Sequence, residues 1–278
     1  MHKFTSFLLG LLIGTGSVSA QYYYKDILSQ RIGERELDSL KVRKIRKVIV
    51  HSFESDGKES EGFYCQKSIS RDFRQVETET RSGSSAPSWF TAAYNQQGRI
   101  TQTTDSSELA VSANFFSYDV KGRIIRIESR AHSMDDDFAT VLTEEHLYQY
   151  NSAGLPEKMK LVKNGKDTTE FFFLVDDKGN VTDEIQPGSG GRHYYYYYND
   201  RHQLTDIVKF NVVKGKLLPD NIFEYDEDGN LVKMVAVEEG VSGNFVTWRY
   251  TYNEGLRIIE KCFGRDNRLL GYVEYEYE

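Results

Sequence analysis

The sequence predicts an all-β fold, an antiparallel meander of β-hairpin repeats in a curled or barrel-like sheet. Three observations carry that expectation. A short turn motif recurs seven times from residue 94 onward. Aromatic residues alternate with polar ones on either side of each copy, the period-2 pattern of a half-buried strand. Proline is scarce: 4 among 278 residues, where average usage gives roughly 14. Proline removes a backbone donor, so a chain that is mostly sheet ladder avoids it.

The first element is not part of that fold. His2 and Lys3 open the chain, an apolar run follows over 7–13, and Val18-Ser19-Ala20 places small residues before Gln21. This is the pattern of a cleaved export signal over residues 1–20. The apolar run is too short to span a bilayer, for which ~20 residues are needed, so no transmembrane helix is expected after cleavage. No Cys follows the cleavage point, which argues against lipidation there. The expected location is the periplasm, the cell surface or the medium. Export places Cys65 and Cys262 where a disulfide can persist, and the two are a candidate bridge. Two separate half-buried thiols in strands, acting as small hydrophobes, are the other reading.

Residues 21–87 read as a lead-in or capping segment of the same sheet. Residues 26–40 have weak helical spacing and much charge. Strands are expected over 42–53 and 62–69 around the Asp56-Gly57 turn, and another over 73–80. Residues 81–87 are loop-like.

From 88 to 278 the repeats take over. Each copy begins with an aromatic residue or Val and an Asn or Asp, with Gly three residues further on and an aliphatic residue closing it. The copies begin at Tyr94, Tyr118, Tyr150, Val175, Tyr198, Tyr225 and Tyr252, with spacings of 24, 32, 25, 23, 27 and 27 residues. Asn or Asp opens a turn by bonding to the backbone ahead, and Gly closes it at positive φ. His202 stands at the Gly position of the fifth copy, and the seventh copy is one residue short. Counting back by twos from each start puts Phe90, Phe116, Tyr148, Phe171, Phe173, Tyr194, Tyr196, Phe223, Trp248 and Tyr250 on one face. The opposite face carries Gln149, Glu224 and Arg249. A mean hydropathy of −0.57 with 39% apolar residues suits such one-sided strands.

The motif resembles the YD (RHS-like) repeat. Phe116-Ser117-Tyr118-Asp119 with Gly122-Arg123-Ile124, and Phe223-Glu224-Tyr225-Asp226 with Gly229-Asn230-Leu231, match its aromatic-x-Tyr-Asp-x-x-Gly-Arg-Leu core. Large members of that family form wrapped β-shells that enclose a toxin, and this chain is too short for one. The resemblance implies an extracytoplasmic β-repeat like small exported members of unassigned function, and it carries over no site residues.

Function is less legible. A formal charge of −7 and a pI near 5.5 lack the positive field that phosphate binding needs, so nucleic acid is not an expected partner. The densest polar cluster is Asp135, Asp136 and Asp137, with His132, Glu144, Glu145 and His146 nearby. It reads either as a metal or acid/base site or as a solvated loop. His193 and Tyr194 to Tyr198 load both faces of one strand with aromatics. Outward Tyr195 and Tyr197, beside His193, read either as a candidate ligand surface for sugar rings or an adhesive patch, or as part of a central strand packed on both sides. No phosphate loop, catalytic triad pattern or paired metal spacing occurs, and no cofactor is called for. The expectation is a non-catalytic exported protein that binds a glycan or a cell-envelope protein. The alternatives are an outer-membrane β-barrel and a glycan-acting hydrolase using the acidic loop at 135–146. Against the barrel stand the chain's last residues, Glu276-Tyr277-Glu278, and strands expected to be shorter than the ~9–11 residues a span requires.

Overall fold

The computed structural model describes residues 22–134, 141–211, 214–237 and 244–278. Within them the protein is all-β apart from one helix, α1 (Tyr24–Val42). The first nine strands are β1 (Lys47–Glu54), β2 (Tyr64–Ile69), β3 (Gln75–Arg81), β4 (Ser88–Tyr94), β5 (Ile100–Ser106), β6 (Ala110–Tyr118), β7 (Ile124–Ser133), β8 (Leu142–Tyr150) and β9 (Pro156–Lys163). The remaining nine are β10 (Asp167–Val175), β11 (Val181–Ile185), β12 (His193–Tyr198), β13 (Leu204–Asn211), β14 (Lys216–Tyr225), β15 (Leu231–Val237), β16 (Phe245–Asn253), β17 (Leu256–Phe263) and β18 (Leu269–Tyr277). Several strands reach nine or ten residues, longer than the sequence suggested, so strand length does not weigh against a membrane span.

The chain divides into two compact units. A helical unit comprises Tyr23–Ile49, Tyr64–Arg192 and Tyr277–Glu278. A C-terminal unit comprises Tyr22, Val50–Phe63 and His193–Glu276 of the described residues. In the helical unit β2 to β11 form an uninterrupted antiparallel meander, each strand paired with the next. In the C-terminal unit β12 to β18 do the same.

The hairpin turns have one construction. In the copy starting at Tyr118, Asp119 Oδ1 accepts from the backbone N–H of Lys121 and Arg123, each at 2.9 Å. The Gly122 N–H donates back to the Asp119 carbonyl at 2.9 Å, with Gly122 at φ 81°. The same pattern recurs at Asn95, Asp176 and Asn199. His202 takes φ 59° at the glycine position, which a residue with a Cβ reaches at modest cost. The sheet register slips by one residue beside every motif start, for example between Ser117 and Tyr118 and between Gln149 and Tyr150. Each copy thus carries a β-bulge that adds twist to its hairpin.

Copies are also wired to each other. The phenol of Tyr118 donates to the Ile100 carbonyl at 2.6 Å, and Tyr150 to Ile124 at 2.7 Å. Tyr225 donates to Leu204 at 2.8 Å and Tyr252 to Leu231 at 3.0 Å. In all four cases the acceptor is the aliphatic residue closing the preceding copy. The residue after Gly completes the link: the Arg123 guanidinium lies 4.4 Å from the centroid of the Tyr150 ring. A further turn of this kind joins β17 to β18. Gly264 and Asn267 exchange the usual roles, with Asn267 at φ 58° and a register slip beside Phe263.

Helix α1 is amphipathic through Tyr24, Ile27, Leu37 and Leu40, which are buried. Asp26 in its first turn and Lys41 in its last suit the helix dipole. It ends where Lys44 turns to φ 58° and the Ile45 N–H reaches the Leu40 carbonyl at 3.0 Å, a Schellman-type stop. The sheet of the helical unit curls around this helix. Glu36 pairs with Lys67 on β2, while Tyr24 meets Phe173 on β10 at a ring separation of 6.3 Å. The buried inner face of β8 to β11 supplies Tyr148, Met159, Phe171, Phe173 and Val181, each side chain contributing roughly 1.5–3 kcal/mol of hydrophobic burial.

The core of the C-terminal unit holds Tyr194, Tyr196, Ile207, Trp248, Tyr250, Cys262 and Val273. Tyr22 packs on Tyr194 and Tyr196 with ring separations of 5.7 and 6.1 Å. Arg257 bonds Glu260 Oε1 at 2.7 Å, and the Tyr275 hydroxyl donates to the same oxygen at 2.6 Å.

Candidate functional site

The chemistry-bearing side chains of the helical unit converge where α1 begins. A helix start leaves backbone donors unsatisfied, and Tyr23 offers no side-chain cap. Glu184 on β11 supplies the acceptor instead. Its two carboxylate oxygens each take the Tyr23 N–H at 2.9 Å, and Oε2 takes the Tyr24 N–H at 2.9 Å. Glu184 is 1% exposed, and at a helix N-terminus its charge also meets the favourable end of the dipole.

One turn further, His146 on β8 stands between two carboxylates. Its Nδ1 lies 2.6 Å from Asp26 Oδ2 and its Nε2 2.8 Å from Glu144 Oε1. The Tyr148 hydroxyl donates to Asp26 Oδ2 at 2.7 Å, with the Tyr23 carbonyl also within reach at 2.9 Å. Burial acts to lower the imidazole pKa, but Asp26 and Glu144 outweigh it and raise the value to about 9. The hydrogen bond from His146 holds Glu144 below the usual carboxylate range. Burial, with Asp26 beside it, pushes the Tyr148 phenol well upward. The cluster is therefore a charged, satisfied clamp on α1 in which His146 is an imidazolium.

The structure divides the polar cluster that the sequence grouped together. Glu144 and His146, two apart, share the inner face. Glu145 points the other way and bonds Arg126 at 3.1 Å, and His132 is exposed. Asp135, Asp136 and Asp137 lie outside the described residues. Among the described residues no group of three or more His, Cys, Asp or Glu could hold a metal ion. Cys65 and Cys262 are each a buried free thiol in the structure. Cys65 receives the Thr80 hydroxyl at 3.7 Å, and burial raises Cys262 to about 12.

The aromatic strand β12 divides as its alternation requires. Tyr194 and Tyr196 are buried, and Tyr197 is 50% exposed on the other face. His193 stacks on Tyr195 at 3.9 Å with the rings 24° apart. Cross-strand pairing sets Val208 beside Tyr195 and Leu217 beside Phe210. Phe210 and Leu217 are exposed, so outward β12 to β14 form a mixed aromatic and aliphatic surface.

Sequence reasoning missed Asp26 and Glu184. For Glu184 a signal existed, because it pairs across its hairpin with Phe173, already assigned to the aromatic face. Its partner in the helix lies 161 positions away, and no local pattern announces that.

No known family description and no curated protein matches the chain. Among solved structures, it is similar to the crystal structure of TcdB2-TccC3-TEV with a TM-score of 0.39 and 15% identity, covering 75% of this chain but 12% of that one. It is also similar to a porin-like protein from Bacteroides uniformis, with a TM-score of 0.39 and 10% identity over 84% of this chain and 98% of the other. A porin-like protein from Bacteroides vulgatus gives the same score, identity and coverage. The chain thus spans about an eighth of the TcdB2-TccC3-TEV chain, and no helix of the described residues is long and apolar enough to cross a membrane.

Proposed function

We propose that this is an exported, non-catalytic β-repeat protein that acts by binding in the periplasm or at the cell surface. Its contact surface is the outer face of β12 to β14, and its partner is a protein of the cell envelope. The observation that carries this reading is the cluster of exposed Tyr197, Phe210 and Leu217 beside half-buried Tyr195 on the outer face of these strands. Exposed contiguous apolar surface marks interaction sites, and tyrosine brings large contact area at low entropic cost. The mixture of aliphatic and aromatic side chains suits a protein better than a sugar, whose platforms are aromatic and polar.

The surroundings of the helical unit support an aqueous setting over a lipid one. Its outer face carries a lattice of Arg126, Glu128, Arg130 and Glu145 in mid-strand, whereas a lipid-facing band is apolar. The clamp on α1 supports a binding role over hydrolysis, because His146, Asp26 and Glu144 are already spent on one another.

The test is affinity capture from envelope extract with the chain from residue 21, alongside a glycan array. A discrete protein should be retained, and Tyr195→Ala with Tyr197→Ala should lose it. Retention unchanged by both substitutions, or a robust hydrolase activity with no partner, would overturn the reading.

A further inference from the structure

The inner face of the helical unit is not apolar throughout. Two rows of residues, fixed by cross-strand register, run beneath α1 from β2 to β8. One contains Val76, Ala92, Thr103, Asn114, Ser129 and Glu144. The other runs through Lys67, Thr78, Phe90 and Asp105. At its ends the face is closed by the docking contacts of the helix, Lys67 with Glu36 and Glu144 with His146 and Asp26. Both of those pairs are spent. Between them lies an inward surface of hydroxyl, amide and carboxyl groups where β8 to β11 place Tyr, Met and Phe.

Those groups are organised and partly unused. Asn114 donates from Nδ2 to Thr103 Oγ1 at 3.1 Å, and the Ser129 hydroxyl donates to Asn114 Oδ1 at 2.5 Å. Thr78 is 9% exposed, and among the described residues no group hydrogen-bonds its hydroxyl. The Asp105 carboxyl also has no hydrogen-bond partner among the described residues, and burial raises it above the usual range. Both groups keep access to solvent on this face, and a bound polar ligand would supply their partners. The Phe90 ring lies in the same row, directly opposite Asp105.

We propose that the inner face of β3 to β7 is a saccharide-binding site. Asp105 and Thr78 meet sugar hydroxyls, the chain from Thr103 through Asn114 to Ser129 extends the hydrogen-bonding wall, and the Phe90 ring takes the apolar face of the sugar. A carboxylate, hydroxyls, an amide and one ring are the donor set of a neutral, hydroxyl-rich ligand. The site is separate from the outward surface of β12 to β14 and does not depend on the partner proposed there.

The experiment is calorimetric titration of the chain from residue 21 with glucose, xylose, mannose and N-acetylglucosamine and their β-linked oligomers, with putrescine as the cationic comparison. At least one saccharide should bind. Asp105→Ala and Thr78→Val should each weaken it by about tenfold, while Tyr197→Ala leaves it unchanged. Amide chemical shifts of the unsubstituted chain guard against a variant that fails to fold: saccharide should move the signals of Thr78, Phe90 and Asp105. Absence of binding by every saccharide at millimolar concentration, shifts confined to other strands, or putrescine binding in place of the sugars would overturn the proposal.

Discussion

Tyr118, Tyr150, Tyr225 and Tyr252 each spend a phenolic oxygen on a carbonyl of the preceding copy, and this accounts for 19 Tyr against 16 Phe. A ring alone would fill the same space, so the hydroxyl is what phenylalanine would lose. Tyr150→Phe should therefore cost about 1 kcal/mol in urea unfolding, whereas Tyr195→Phe, outward and unbonded, should cost nothing measurable. His146 gives a second test at this scale. Its pKa is raised from 6.5 to about 9 in the folded chain, so its contribution is complete below pH 6.5 and is lost as pH rises through 9. Glu144, lowered, contributes above its unfolded value and loses that contribution as pH falls. Stability of the helical unit should fall on going from pH 6.5 to 9.5, and His146→Gln should flatten that limb while lowering the plateau by about 3 kcal/mol. The sequence placed His146 among the acidic residues that matter to it, but Asp26 could be found only once the chain had folded back on itself.

A hairpin copy is the element that repeats, and its glycine has two duties. At Gly98 the space around an added Cβ is open, and only φ of 76° resists substitution. At Gly122 an added Cβ would also stand 2.2 Å from the Arg99 guanidinium, which reaches over from the preceding copy. Gly98→Ala should cost about 1 kcal/mol and Gly122→Ala more. The excess at Gly122 should shrink when Arg99→Ala is added, a coupling that a double-mutant cycle in urea measures. These elements were legible in advance because each depends on residues within a turn of one another. The Asn or Asp that opens the turn, the Gly that closes it and the alternation beside it are local signals. The helix was legible only weakly, since its apolar face is sparse and its N-terminal acceptor, Glu184, comes from a distant strand. The turn at Gly264 and Asn267 has its two key residues exchanged, while its geometry follows the same rule.

At the scale of the whole molecule, the sequence indicated an all-β meander, and the structure bears that out in eighteen strands among the described residues. The division into an aromatic inner face and a polar outer one was also indicated, but not where each departs from that rule. Aromatic alternation identified one face in advance, yet the polar stretch from Thr78 to Ser129 and the exposed apolar stretch of β12 to β14 depend on cross-strand register. In vivo photo-crosslinking tests the central claim most directly, with the crosslinking residue placed in turn at Tyr197, at Phe210 and at Arg126 on the charged outer face. A discrete protein adduct at 197 and 210 but not at 126 is the expected result. Adducts absent at all three positions, or equal at all three, would contradict the account.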